Sequence, residues 1–291
     1  MADSASAGDR IFVHEHYTLH YRSAPPRVQW ASAARLSYTA LLLLEGALFW
    51  WSEGGEPERE LKAPGAILAA PGQTLKVSGQ QAHFILASLA PAFILDCAVR
   101  ARLTRADAEI TFPTQSIAGD ERLARIARDL ADELRAAEAG REIVIAALME
   151  QGTVYLLRRY ANIRRSDELE LSRAGLVDRR LRRAVELMHA QLERELPLEE
   201  LAAAAYLSPF HFSRLFKKVT GASPHAYLAA LRIERAQRLL ATTDLSITEI
   251  STRVGYASSS HFGKAFRQAN GLTPRAFREA LYTPQEKVSH E

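Results

Sequence analysis

The sequence predicts an α+β chain in two parts. An N-terminal antiparallel β-barrel with a helical hairpin precedes an all-α domain of two helix-turn-helix motifs joined by a linker helix. Three observations carry this expectation. Glycine and proline punctuate residues 46–79 at intervals of about 7–10 residues, which suits short antiparallel strands better than a parallel sheet. From residue 123 the apolar period changes to that of helices. The C-terminal third then contains one segment twice.

Residues 11–89 read as short strands. Tyr38–Glu45 and Ala47–Ser52 are rich in aliphatic and aromatic residues and flank Gly46; Gly54-Gly55, Pro64-Gly65, Pro71-Gly72 and Gly79 mark the following turns. Leu123, Ile126, Leu130 and Leu134 fall on one helical stripe, and Ile143, Ala147, Val154, Leu157 and Ala161 on another, with a break at Gly140. The pair predicts a helical hairpin from Asp120 to Asn162. Its stripes could form a subunit interface or be spent on the barrel. Arg164–Gly175 has few large apolar residues and mixed charge, as interdomain linkers do. The expected division is therefore a domain over 1–163, a linker over 164–177, a helical domain over 178–283 and a tail over 284–291.

Composition narrows the function classes. A hydrophobic content of 47% with 24% charged residues fits a folded chain with ordinary cores. The single cysteine, Cys97, excludes an internal disulfide framework and a multi-cysteine zinc site. Met1–Arg10 lacks a signal-peptide pattern, and no stretch approaches bilayer-spanning length, so the expectation is a cytoplasmic protein with no membrane segment. The net charge of +3 is unevenly placed. Residues 178–283 hold 16 Lys/Arg against 10 Asp/Glu, whereas residues 1–177 hold 20 against 22. A basic excess confined to one segment is the footprint of a nucleic-acid partner.

The repeat gives that footprint a shape. LEELAAAAYLSPFHFSRLFKKVTGASPHAYL begins at Leu198, and ITEISTRVGYASSSHFGKAFRQANGLTPRAFR begins at Ile247. His211-Phe212 aligns with His261-Phe262, Phe216 with Phe266, Gly221 with Gly271 and Pro224 with Pro274, the turn of the second copy being one residue longer. Leu198, Leu201 and Ala205, or Ile247, Ile250 and Val254, form the inner stripe of a first helix. Ser208 and Ser258 are candidate caps for a second helix. That helix should bury Phe212, Leu215, Phe216 and Val219, or Phe262, Ala265, Phe266 and Ala269, before the glycine stops it.

With those residues inward, Phe210, Ser213, Arg214 and Lys217 point outward in the first copy, and Ser260, Gly263, Lys264 and Arg267 in the second. Basic side chains near a helix N-terminus can reach guanine edges in a major groove, and serine reads bases more permissively. Lys217, Lys218 and Arg267 lie a turn further on and suit phosphates, which fix position without reading sequence. One basic helix alone would more often be a solvated face; the matched pair reverses that judgement. Pro224–Ala241 reads as one continuous helix of roughly 27 Å. That is comparable with the roughly 34 Å between successive major-groove segments on one face of B-DNA.

The runs SPxHFSRLFKKxTGxSP, LRIERAQRLL and VGYxSxSHFxKAFRxxxGxTPRAFR resemble the AraC/XylS family of bacterial transcription regulators over Val177–Ala280. The resemblance implies seven helices, the first over Asp178–Glu193 with Leu181, Val185, Met188 and Leu192 inward. It implies base reading by Phe210, Ser213 and Arg214 in the first motif and by Ser260, His261 and Lys264 in the second. Gly263 departs from the family, where serine or threonine is common. The resemblance further implies a cupin-like effector-binding and dimerisation domain, double-stranded DNA and RNA polymerase as partners, a homodimer, and an effector-responsive activator. Rival readings are a cupin-type enzyme, or a constitutive architectural DNA binder, carrying the same module. No nucleophile–base spacing stands out, so the chain is read as a non-enzyme without a cofactor.

Within the barrel, Trp30, Phe49, Trp50 and Trp51 could wrap a small-molecule effector, although alternation puts Trp50 and Trp51 on opposite faces. Core or interface packing explains them equally well. His14, His16 and His20 would share one face of a strand, but no later His-x-His…Glu…His pattern completes a metal site, so no metal is expected. Cys97, followed by Ala98 and Val99, reads as inert core rather than a redox switch.

Overall fold

The computed structural model describes residues 8–25, 28–31, 37–52, 59–71, 73, 75–104, 109–113, 115–136, 138–164, 171–220 and 222–281. The N-terminal part begins with strands β1 (Arg10–Val13), β2 (Tyr17–Arg22), β3 (Val28–Ala31), β4 (Tyr38–Glu45), β5 (Ala47–Ser52), β6 (Arg59–Lys62), β7 (Gly65–Ala69), β8 (Leu75–Gly79) and β9 (His83–Leu89). Helix α1 (Pro91–Arg100), strands β10 (Glu109–Thr111) and β11 (Gln115–Ala118), helices α2 (Glu121–Arg135) and α3 (Arg141–Tyr160), and β12 (Asn162–Arg164) complete it.

Among the described residues these strands do not close into a barrel. They form a six-stranded antiparallel sheet in the order β1-β2-β9-β4-β7-β11, a four-stranded sheet in the order β3-β8-β5-β6, and the small pair β10-β12. Turn spacing predicts strands but not their partners, and here the chain distributes them so that each sheet keeps two edges. The six-stranded sheet is the central layer. On β4, Ala40 and Leu42 face a core shared with α1, α2 and α3, while Leu41 and Leu43 face a second core between the sheets. β7 and β9 alternate in the same way, which is why these strands read as almost uninterrupted apolar runs. The α2 stripe, Leu123, Ile126, Leu130 and Leu134, is spent inside the domain, and so are Ile145, Met149, Leu156 and Leu157 of α3. Ile143 and Val144 of α3 stay exposed.

Asp120 caps α2 by accepting from the Leu123 N–H at 3.0 Å, and takes hydrogen bonds from the Tyr155 and Tyr160 hydroxyls of α3. Burial opposes ionisation of Asp120, but these donors outweigh it and lower its pKa. The two helices are thus tied at one end by a single carboxylate.

The helical part runs α4 (Leu171–Ala190), α5 (Leu198–Ala204), α6 (Pro209–Thr220), α7 (Pro224–Thr242), α8 (Ile247–Arg253), α9 (Ser259–Asn270) and α10 (Pro274–Ala280). Helix α4 starts inside the stretch expected to be linker; the remainder of that stretch, beyond β12, lies outside the described residues. Leu181 and Met188 of α4 are buried and Val185 packs beside them. α7 is unbroken, capped by Ser223, whose hydroxyl accepts from the Ala226 N–H at 3.2 Å.

The two parts share a seam. Ile11 of β1 is 2% exposed and sits in the same cluster as Ile233 of α7, Phe266 of α9 and Phe277 of α10. Ile11 also bridges in parallel to Leu281. The Ser37 hydroxyl donates to Glu234 at 3.0 Å, and the Arg238 guanidinium donates to the Glu15 carbonyl at 3.2 Å. The β1-β2 edge of the central sheet is therefore covered by helices rather than by the second sheet.

Candidate nucleic-acid interface

The two copies fold by the same local rules. In the first, the chain leaves α5 through Tyr206, whose N–H donates to Ala203 O at 2.9 Å, followed by Leu207 N–H to Ala202 O at 2.9 Å. In the second, Gly255 N–H donates to Thr252 O at 3.0 Å and Tyr256 N–H to Ser251 O at 2.9 Å. Both turns need a left-handed residue: Tyr206 has φ +54° and Gly255 has φ +81°. Only the second copy has glycine there. A Cβ on Gly255 would lie 2.5 Å from the Leu192 carbonyl oxygen, which already accepts from Arg232 Nε at 2.8 Å.

The second helix of each copy starts at a serine. The Ser208 and Ser258 hydroxyls accept from the His211 and His261 N–H groups at 3.4 and 3.2 Å. At the far end Gly271 is left-handed with φ +72°, its N–H donating to Arg267 O at 2.7 Å; Gly221 lies outside the described residues. Inside, the rings of Phe212 and Phe216 lie tilted to each other at a 5.3 Å centroid distance and Tyr227 meets Phe216 edge-on at 5.2 Å. Phe262, Phe266 and Phe277 repeat that arrangement at 5.6 and 5.2 Å. Val219 corrects the expectation. It is 54% exposed, whereas its counterpart Ala269 is half-buried and lines the seam between the two parts. Leu198 is likewise exposed rather than inward.

With the phenylalanines buried, the opposite faces are solvent-accessible. Phe210, Arg214, Lys217 and Lys218 are exposed on α6, with Ser213 half-buried; Ser260, His261, Lys264 and Arg267 are exposed on α9. Spacings of i, i+4 and i+7 put Phe210, Arg214 and Lys217 on one stripe, and Ser260, Lys264 and Arg267 on the matching one. No acidic residue occurs in α6 or α9. His261 is fixed edge-on to Tyr256 at 5.4 Å. An added Cβ at Gly263 meets nothing within 4 Å, so the side chain lost there leaves open space on the reading face.

The residues singled out in the N-terminal part are dispersed. Trp30 pairs through its backbone with Val77, and its side chain lies outside the described residues. Trp50 is 2% exposed in the core between the sheets, with the Arg59 guanidinium 5.8 Å from its ring; Phe49 is 44% exposed and Trp51 half-buried. His14 and His16 sit exposed on the β1–β2 turn while His20 is buried within β2, so the three do not share a strand face. Among the described residues no three His, Cys, Asp or Glu side chains gather as a metal site. Cys97 is buried, and burial, aided by Glu150 and Asp96, pushes its thiol up to about 11. Among the described residues no helix is long and apolar enough to cross a membrane.

Sequence reasoning missed the seam cavity. It has a volume of about 430 Å³ and lies where the β1–β2 turn and β9 meet α7 and α9. Ala226, Ala229, Ala230 and Ile233 form one wall and Ala265 and Ala269 another; Glu15, Glu234 and Arg238 line it as well. The Gln237 amide donates to Asn270, which donates in turn to Phe266 O at 3.0 Å. Tyr17 also lines the cavity, with a buried hydroxyl that has no hydrogen-bond partner among the described residues. Burial, with Glu150 and Glu142 nearby, pushes that hydroxyl up to about 12. The run of alanines on α7 was the available signal. It reads as ordinary helix propensity until a second domain is laid against it.

Comparison with known proteins matches the same segment. A family model described as a helix-turn-helix domain matches residues 201–280. The regulatory protein PocR of Salmonella typhimurium is 38% identical over 78 residues, covering 27% of this chain and 26% of PocR. The transcriptional regulator GbdR of Pseudomonas aeruginosa is 34% identical over 119 residues, covering 40% and 31%. The chain thus spans about a third or less of the length of these relatives. The crystal structure of ToxT from Vibrio cholerae is similar in fold across both parts, with a TM-score of 0.62 at 11% identity over 91% of this chain and 96% of ToxT.

Proposed function

We propose that this chain, whose residues 201–280 carry a helix-turn-helix domain similar to those of the regulators PocR and GbdR, is an AraC-type, sequence-specific, DNA-binding transcription regulator reading two adjacent major-groove segments. One observation carries the reading. The α6 and α9 helices bury equivalent phenylalanines and expose equivalent basic stripes at either end of α7. Nineteen residues make that helix roughly 28 Å long, close to the spacing of successive grooves.

In this reading Phe210, Ser213, Arg214, Ser260, His261 and Lys264 meet base edges, and Lys217, Lys218 and Arg267 meet phosphates. The regulator is an effector-responsive activator of the cytoplasm, working as a homodimer with RNA polymerase. The seam cavity supports a small, largely apolar effector: its alanine walls admit a flat or slender molecule, and the Tyr17 hydroxyl and Gln237 amide offer it hydrogen bonds. A ligand there touches both parts at once. It can shift the balance between two arrangements only by binding one of them better. Trp50, packed in the core between the sheets, favours this location over the space between the sheets.

The test is selection of the full-length chain on a randomised duplex library at near-physiological salt. Convergence on two short blocks about one helical turn apart is the expected result. Binding that never enriches a sequence and depends only on salt would overturn the reading.

A further inference from the structure

We infer that Phe210 reads the 5-methyl group of a thymine, so that the first recognition helix selects partly by apolar contact while the second selects by hydrogen bonds. The inference rests on the reading that α6 enters a major groove and names what one of its side chains recognises there.

Phe210 is 79% exposed, the most exposed large apolar side chain among the described residues. It stands at the second position of α6, and helical side chains lean toward the N-terminus, so its ring projects from the end of the helix that probes base edges. A phenyl ring can neither donate nor accept a conventional hydrogen bond, and so cannot read amino, carbonyl or ring-nitrogen groups. The apolar feature that a major groove offers is the thymine methyl.

The surroundings specify a polyanion rather than an apolar protein partner. Arg214 and Lys217 share the ring's stripe, Lys218 flanks it, and α6 carries no carboxylate. On α9 the corresponding position is Ser260, also exposed, whose hydroxyl accepts or donates with several bases. The two half-sites should therefore differ in kind, with a methyl-dependent position only in the first.

The experiment uses the full-length chain and the duplex it selects from the randomised library. Each thymidine is replaced in turn by deoxyuridine, which removes only the methyl group, and affinity is followed by fluorescence anisotropy. One position in one block should weaken by about fourfold, the equivalent of one buried methyl-sized group. Phe210→Ser should bind the thymidine and deoxyuridine forms of that position equally, keep its other preferences, and melt at the wild-type temperature. Phe210→Leu should retain part of the discrimination. A selected duplex with no uracil-sensitive thymine overturns the inference while leaving the regulator reading intact, as does sensitivity that persists in Phe210→Ser. Failure to select any duplex overturns both.

Discussion

The buried cluster around Phe212 and Phe216 is built from α4, α5, α6 and α7, with Ala205 of the turn. The one around Phe262 and Phe266 is built from α7, α8, α9 and α10, and also takes Ile11 from β1, with Val13 packed against it. Two copies that look interchangeable along the chain are thus unequal in space. The second shares its core and one wall of a cavity with the N-terminal domain, and exposed Val219 marks the corresponding surface of the first. The helical residues lining that cavity come from α7 and α9 and include none of α6. Helix α9 divides its circumference accordingly: Phe262 and Phe266 to the core, Ala265 and Ala269 to the seam, Ser260, Lys264 and Arg267 to solvent.

The strongest test of this inequality is Gly255→Ala. The left-handed backbone and the 2.5 Å approach to Leu192 O together should cost about 2–4 kcal/mol, read as a lower melting temperature. An unchanged melting temperature would mean that the turn can relax and that the copies differ less than they appear. Ile11→Ala comes next. It should cost about 2–4 kcal/mol by opening a cavity in the second core. Hydrogen exchange should rise in α9 and α10 but not in α6; equal loosening of both copies would break the comparison.

On DNA, Arg214→Ala should lose roughly 1–3 kcal/mol on the selected duplex and relax one position, whereas Lys217→Ala should weaken all sequences evenly and flatten the salt dependence. Equal losses on selected and random DNA for Arg214→Ala would refute its base-reading role.

Tyr17 sharpens the seam side. Its ordinary pKa is 10.0 and folding pushes it to about 12, so the folded state holds the phenolic proton longer than the unfolded chain does. That contribution is complete below pH 10 and is lost as pH rises toward 12. Tyr17→Phe should flatten the decline of stability across this window, and an unchanged pH profile would show that the hydroxyl is not held in this environment.

The smallest effect is expected at Tyr206→Gly. Relief of the left-handed strain should gain roughly 1 kcal/mol, offset by loss of the Arg183 guanidinium contact 5.1 Å from the ring, worth roughly 0.5–1 kcal/mol. A change beyond about 1 kcal/mol either way would mean that the two turns are not equivalent.

What the chain determined by itself is everything set within a few turns of helix. Ser258 capping, the Gly271 stop, the buried Phe212/Phe216 and Phe262/Phe266 pairs and the outward basic stripes all follow from neighbours within about four residues, so a linear reading finds them. The strands of the N-terminal part were legible as strands for the same reason. Their partners were not: which edges remain open, whether Trp50 meets a ligand or a core, and where Ile11 goes depend on segments far apart along the chain. Val219 and Ala269 make the point at one position. Equivalent in pattern, they part company because burial depends on what a second domain covers, and no local period encodes that.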